Sequence, residues 1–317
     1  MWGVNGSKEN EYAGLTHKTL RWVEEREGQV AKVVSAASLK GGISSAVYGL
    51  KIKQGDTCHD SVLRQFTNAE WLREEPELAW HETAALQAAW AAGLPSPRWL
   101  ACDPDGGACG LPTVLMTRLP GRVVLAPADL SGWLEGLART LAEIHAADVP
   151  PIGWNYFTYN EVSRLIVPEW TRVPEAWRRI IDRVQGPPPS YRPQFIHRDY
   201  HPTNVLWQEG QVSGVVDWVN ACMGPAGIDT GHCRWNLVQM YGVAAADAFL
   251  DCYRFATQQF GCDANDPYWD MLCLIEMLPG PPEVYQGWPD LGLDALSPEL
   301  IARRLDEYAE SLVRKLD

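Results

Sequence analysis

From Val30 to about Leu119 the apolar positions fall in short runs, AVYGLKI, SVLRQF and PTVLMTRL, bounded by Gly, Pro and Asp. Runs of that length between turn formers predict β-strands. One helix interrupts them: WHETAALQAAWAAGLPSP has helix-forming composition from about Trp80 to Ala92 and is stopped by Gly93 and Pro95. Two further strand candidates, Arg98 to Ala101 and Thr113 to Thr117, flank DPDGGACG, whose turn residues predict a hairpin.

Beyond Pro120 and Gly121 the period changes. Leu134, Leu137, Leu141 and Ile144 recur at spacings of three and four, and Ser131 is the expected cap. A Pro-rich break, GPPPSYRP at 186 to 193, precedes short strands around FIH and NVLW and a third reading SGVVDW. At the end Ser297 caps a helix with Pro298 at its first position and Leu300, Ile301, Leu305, Tyr308 and Leu312 on one face. No internal repeat is visible. The pattern predicts an α+β protein of two lobes, a small β-rich one over residues 1–117 and a larger, mainly helical one over 118–317.

Composition narrows the partners. In 317 residues, 40 acidic and 27 basic side chains give a formal charge of minus 13, which disfavours nucleic acid or an anionic membrane as partner and suits cationic substrates or mere solubility. The eight cysteines form no CxxC pair and no zinc-like spacing, so reduced, packed thiols are expected. No N-terminal leader pattern and no run approaching about 18 apolar residues is present, and the expected location is the cytoplasm.

The chemistry concentrates in FIHRDYHPTNVLW, residues 195 to 207, where Asp199 and Asn204 share a loop between two apolar strands. Phosphoryl transfer needs a carboxylate to orient and accept the proton of the attacking hydroxyl, and oxygen ligands for a metal that bridges the phosphates. Asp199 and Asn204 offer both, and Asp217, thirteen residues beyond Asn204 at the end of SGVVDW, adds a carboxylate. Two other readings stay open. All three can be turn or strand-end residues, or His197, Asp199 and His201 can form an HxDxH metal site of a hydrolase.

HRDYHPTN followed by VVDW resembles the catalytic loop and metal-binding strand of the aminoglycoside phosphotransferase and choline kinase superfamily, whose fold is that of protein kinases. The resemblance implies a small-molecule kinase that moves the γ-phosphoryl group of ATP or GTP, with Mg2+, onto a hydroxyl of a small molecule. It makes Asp199 the base and Asn204 and Asp217 the magnesium ligands, with His197 packed beneath the loop and His201 ordering it. Asp229, in GPAGIDTGHC, takes the place of a recurrent structural Asp.

Upstream, LKGGISSAVYGLKI at 39 to 52 offers Gly41, Gly42, Ser44 and Ser45. Read alone it is a hairpin turn or a phosphate loop; the resemblance favours the loop. It also puts Arg64 where a phosphate-contacting Lys is usual, with Glu82 as its acidic partner and Glu77 as the competing choice. Arg keeps the charge with a different geometry. VLMTRLPG, 114 to 121, resembles the hinge, with backbone near Met116 and Arg118 meeting the purine.

The resemblance extends from about Val30 to Gly242. A protein kinase is disfavoured, since neither DFG nor an APE segment follows Asp217. The acceptor is expected to be cationic, an antibiotic of aminoglycoside or related type, with a metabolic kinase for a sugar, choline or amino-alcohol as the alternative. A non-catalytic nucleotide-binding protein is the remaining one. Some of Asp266, Asp270, Glu276, Glu283 and Asp290 are expected to face Asp199.

Overall fold

The computed structural model describes residues 12–39, 45–258 and 266–316. The chain is an α+β protein and divides into two compact units, Met1–Leu119 and Pro120–Asp317.

In the first unit, α1 (His17–Glu27) leads into β1 (Ala31–Ser38), β2 (Ser45–Gln54) and β3 (Thr57–Phe66). Then come α2 (Ala69–Glu74), α3 (Leu78–Ala91), β4 (Trp99–Asp103) and β5 (Thr113–Thr117). The strands form one antiparallel sheet in the order β1-β2-β3-β5-β4. Trp22 and Val23 of α1 are buried in one core with Val33, Leu50, Ile52, Leu63 and Leu115 of that sheet. The strand-rich pattern does not foretell α1, which starts where Thr16 accepts the amide of Thr19 and lies before the first strand run. DPDGGACG does close the β4–β5 hairpin, because the Asp103 carboxylate accepts the amides of Ala108 and Cys109.

The second unit contains β6 (Arg122–Val123), α4 (Leu130–Ala146), α5 (Pro174–Gln185), β7 (Gln194–Ile196), β8 (Val205–Gln208), β9 (Gln211–Val215) and β10 (Cys222–Gly224). It closes with α6 (Ala226–Tyr241), α7 (Val243–Thr257), α8 (Pro267–Leu274), α9 (Gly287–Asp290) and α10 (Pro298–Val313). Two small antiparallel sheets, β6-β8-β9 and β10-β7, sit among these helices. The cap of α4 is Asp129 and not Ser131: its carboxylate accepts the Gly132 amide at 3.1 Å, reaching the third helical residue as a cap must. Ser297 caps α10 as expected, accepting from Leu300, and Ile301, Leu305, Tyr308 and Leu312 are buried.

The helix that matters most for the site is α6. A Cβ on Gly227 would stand 2.2 Å from the Trp269 ring and one on Gly231 2.9 Å from the Trp269 carbonyl oxygen, so these glycines let α6 lie directly against α8. Side chains on the neighbouring turns of α6 are thereby fixed in place.

Candidate active site

The chain leaves β7 at Ile196 and enters β8, in the other small sheet, at Val205, and the residues at both ends, Phe195, Ile196 and Val205, are buried. Apolar flanks thus pin a polar loop. Two backbones here are strained: Arg198 in this loop has φ 67° and Asp217, just past β9, has φ 70°, left-handed conformations that are unfavourable for residues with a side chain. Such residues cost about 1–3 kcal/mol each and persist only where neighbours hold them.

Asp229 holds the first. Fully buried on α6, its carboxylate accepts the amides of His197 at 2.7 Å and Arg198 at 2.6 Å and a third hydrogen bond from His145 Nε2 at 3.0 Å. Tyr253 meets the other nitrogen of His145 at 2.7 Å. The Arg198 guanidinium turns away over the rings of Phe157 and Tyr159, at 4.4 and 4.5 Å, and donates to the Phe157 carbonyl.

Asp199 is gripped from two directions. The Asn204 Nδ2 donates to its carbonyl oxygen at 2.9 Å and to its Oδ2 at 3.0 Å. On the other side, His232 Nε2 stands 3.2 Å and His201 Nε2 3.6 Å from Oδ1. His232 Nδ1 in turn faces Glu276 Oε2 at 3.7 Å. Asp217 is brought to the same end by the β8–β9 hairpin: Val205 pairs with Val215, and the Val216 amide donates to the Asn204 carbonyl at 2.9 Å.

Burial and charge set the protonation states. Burial raises the Asp199 pKa, but His201 and His232 outweigh it and hold the carboxyl well below its usual range. For His201 burial dominates and pushes the imidazole down to about 4, so it stays neutral and accepts from Asn204 Nδ2 at 3.2 Å. For His232 burial pulls the same way, yet the carboxylates of Asp199 and Glu276 on its two sides win and raise it to about 10.

His197 is fully buried, leans on Trp218 and donates from Nε2 to the Val216 carbonyl at 3.0 Å. It is not among the donors that converge, so the HxDxH grouping is not formed. Among the described residues the carboxylate and imidazole donors that converge are Asp199, His201 and His232, within 4.8 Å of one another.

In the first unit, Arg64 and Glu82 form an ion pair, Nη1 to Oε1 at 3.0 Å, and both are buried. Glu77 is exposed at the start of α3. Ser45 opens β2 opposite Phe66. Met116 lies inside β5 between Val62 and Trp99, whereas Arg118 follows the strand end with Nη1 3.9 Å from Asp60. Gly41, Gly42 and Ser44 lie outside the described residues.

The C-terminal acids behave differently from one another. Asp270 cannot face Asp199: it is buried against Arg234 and accepts from Tyr308 Oη at 3.0 Å, because the fully buried guanidinium needs a counter-charge. Asp266 caps α8 through the Tyr268 amide, and Glu283 and Asp290 are exposed. Glu276 is the acid that His232 links to Asp199. A cavity of about 660 Å³ among β6, β8 and α4, lined by Arg122, Trp133, Arg139 and Trp207, touches none of these residues.

A family model described as "Phosphotransferase enzyme family" (APH) matches residues 17–261. The chain belongs to this family. It is a phosphotransferase with a kinase-like fold. Among solved structures this phosphotransferase is similar to a candidate aminoglycoside phosphotransferase from Ralstonia eutropha JMP134, at 18% identity over 93% of this chain and 98% of that one, TM-score 0.60. A thermostable aminoglycoside phosphotransferase APH(4)-Ia in ternary complex with ADP and hygromycin B aligns at 16% identity over 94% and 98%, TM-score 0.58. The macrolide 2'-phosphotransferase MphH from Brachybacterium faecium aligns at 16% over 82% and 90%, TM-score 0.54. No curated protein matches the chain. Among the described residues, no helix is long and apolar enough to cross a membrane.

His232 and His145 take part in this site without any motif pointing to them. The signal for His232 was present: it sits three residues after Asp229 on one helix, and positions three apart share a face.

Proposed function

We propose that the phosphotransferase moves the γ-phosphoryl group of ATP or GTP onto a hydroxyl of a small cationic molecule, an antibiotic of aminoglycoside or related type. The observation that carries the reading is the contact of Asp199 with Asn204 beside Asp217, three oxygen-bearing side chains gathered by one loop and one hairpin.

Asp199, ionised and immobilised, orients the attacking hydroxyl and accepts its proton as the new O–P bond forms and the bond from the γ-phosphorus to the oxygen of the departing nucleoside diphosphate breaks. The donor set suits magnesium: with Nδ2 of Asn204 engaged by Asp199, the amide presents Oδ1, and Asp217 supplies a carboxylate, both hard oxygen ligands. Held by Asn204 and Asp217, such an ion would offset the negative charge of the phosphates. Arg64, steered by Glu82, is assigned to the α- and β-phosphates, and Ser45, with Gly41, Gly42 and Ser44, to the phosphate loop. Backbone near Met116 and Arg118 is assigned to the purine. His197, His201 and Asp229 order the loop, and transfer needs no more than positioning and neutralisation.

The cationic acceptor is supported by the net charge of minus 13. The test is an acceptor panel of aminoglycosides, macrolides, choline, amino-alcohols and plain sugars, followed by phosphorus NMR of the product at two ionic strengths. A best acceptor that carries amines, with kcat/KM falling as salt rises, is expected. A neutral best acceptor with salt-insensitive kinetics removes the charge argument. No triphosphate-dependent product from any hydroxyl compound removes the whole reading.

A further inference from the structure

His232 has both ring nitrogens facing carboxylate oxygens, Nε2 toward Asp199 at 3.2 Å and Nδ1 toward Glu276 at 3.7 Å. A neutral imidazole carries one N–H and would oppose a lone pair to one of these carboxylates; the doubly protonated ring serves both. The groups around it are Asp199 and His201 from the loop, Glu276 from the turn after α8, and the Trp235 ring 5.4 Å away on its own helix. The ring rides on α6, the helix whose Gly227 and Gly231 lie against α8 and whose Asp229 binds the loop amides. One rigid helix therefore holds the loop at two points, the backbone through Asp229 and the carboxylate of the next residue through His232. Asn204 meets Oδ2 and His232 meets Oδ1, so each oxygen of Asp199 has its own anchor, from a different element.

We propose that His232, backed by Glu276, is a positioning residue that fixes the Asp199 carboxylate for attack by the acceptor hydroxyl. The inference rests on the reading of Asp199 as the base. A freely rotating carboxylate spends little of its time in the productive orientation, and misplacement of a reacting group by about an ångström costs on the order of a hundredfold. The imidazolium makes no contact with substrate and acts only through Asp199.

The experiment measures kcat, both KM values and the melting temperature for His232→Ala, His232→Gln, Glu276→Gln and Asp199→Asn in the full chain, with the acceptor that the panel identifies. His232→Ala is expected to lower kcat about tenfold to a hundredfold while the nucleotide KM stays within about twofold, since the group acts on chemistry and not on ground-state binding. His232→Gln, which keeps an N–H donor toward Asp199, is expected to recover most of that loss. Glu276→Gln is expected to lower kcat a few-fold at unchanged melting temperature, and it carries the test if His232→Ala does not fold. In an Asp199→Asn background, His232→Ala is expected to cost no further turnover. Wild-type kcat in His232→Ala or in Glu276→Gln, or a full further loss on top of Asp199→Asn, overturns the inference. Wild-type turnover in Asp199→Asn itself overturns instead the reading on which it rests.

Discussion

Asn204 and Asp199, five residues apart, are joined twice: the Asn204 amide donates to the backbone carbonyl of Asp199 at 2.9 Å and to its carboxylate at 3.0 Å. The two hydrogen bonds close the loop on itself. They align the two side chains, and on the function proposed above the carboxylate serves the attacking hydroxyl while the amide oxygen serves the cation.

The first prediction separates those tasks. Asp199→Ala is expected to lower turnover by about a hundredfold to ten-thousandfold with nucleotide affinity nearly intact, as for loss of a positioned base. Asp217→Ala is expected to weaken magnesium-dependent nucleotide binding instead, read by calorimetry with and without the ion. An Asp199→Ala protein with wild-type turnover would contradict the assignment.

Arg64 and Glu82 are buried together at 3.0 Å, and breaking a buried pair from either side leaves an unpaired charge. Arg64→Ala and Glu82→Ala should each raise the nucleotide KM or lower turnover, and the double variant should lose no more than about the larger single loss. Fully additive losses in the cycle would separate the two residues functionally.

What the sequence made legible was local. Asp199 and Asn204 could be placed together because they stand five positions apart in one loop between two apolar strands, and Arg64 with Glu82 because the family resemblance pairs a basic strand residue with an acid of the following helical segment. The illegible parts depend on long closures. His145 reaches Asp229 across 84 residues, and Glu276 reaches His232 from a turn after α8. Which of the five C-terminal acids face Asp199 is not legible, and nothing in the neighbourhood of Asp270 announces that Arg234, 36 residues away, is fully buried and claims it. The missed start of α4 is a smaller case of the same kind: Asp129 and Ser131 are both capping types, and backbone geometry decides between them.

Asp229 carries the strained Arg198 backbone through two amides and is paired to His145, all out of water. Asp229→Ala leaves both amides and the Nε2 of His145 without their shared acceptor, so it is expected to cost about 3–5 kcal/mol of stability in urea unfolding. Turnover should fall in the fraction that stays folded, because Arg198 precedes Asp199. A cost under about 1 kcal/mol would show that the loop is held by other contacts.

The two histidines beside Asp199 should give stability a maximum near neutrality. His201 is depressed to about 4 from its ordinary 6.5, mainly by burial, so between these values the unfolded chain binds a proton that the folded one excludes. Its share of stability is therefore complete above about pH 6.5 and drains away as pH falls toward 4. His232 is displaced the other way, its partners Asp199 and Glu276 overcoming the effect of burial, so the folded chain keeps a proton that the unfolded one has released. Its share is complete below pH 6.5 and is lost as pH rises toward about 10. Asp199, held below its ordinary 3.8, adds a further acid loss only beneath that value. Melting temperatures recorded from pH 4 to 10 should fall on both sides of about 6.5, and each side should have its own owner. His201→Asn should flatten the acid side and leave the alkaline side, and His232→Gln should do the reverse. A pair of slopes that neither substitution changes would assign the pH dependence to other groups and would mean that these rings titrate alike in the folded and unfolded chain.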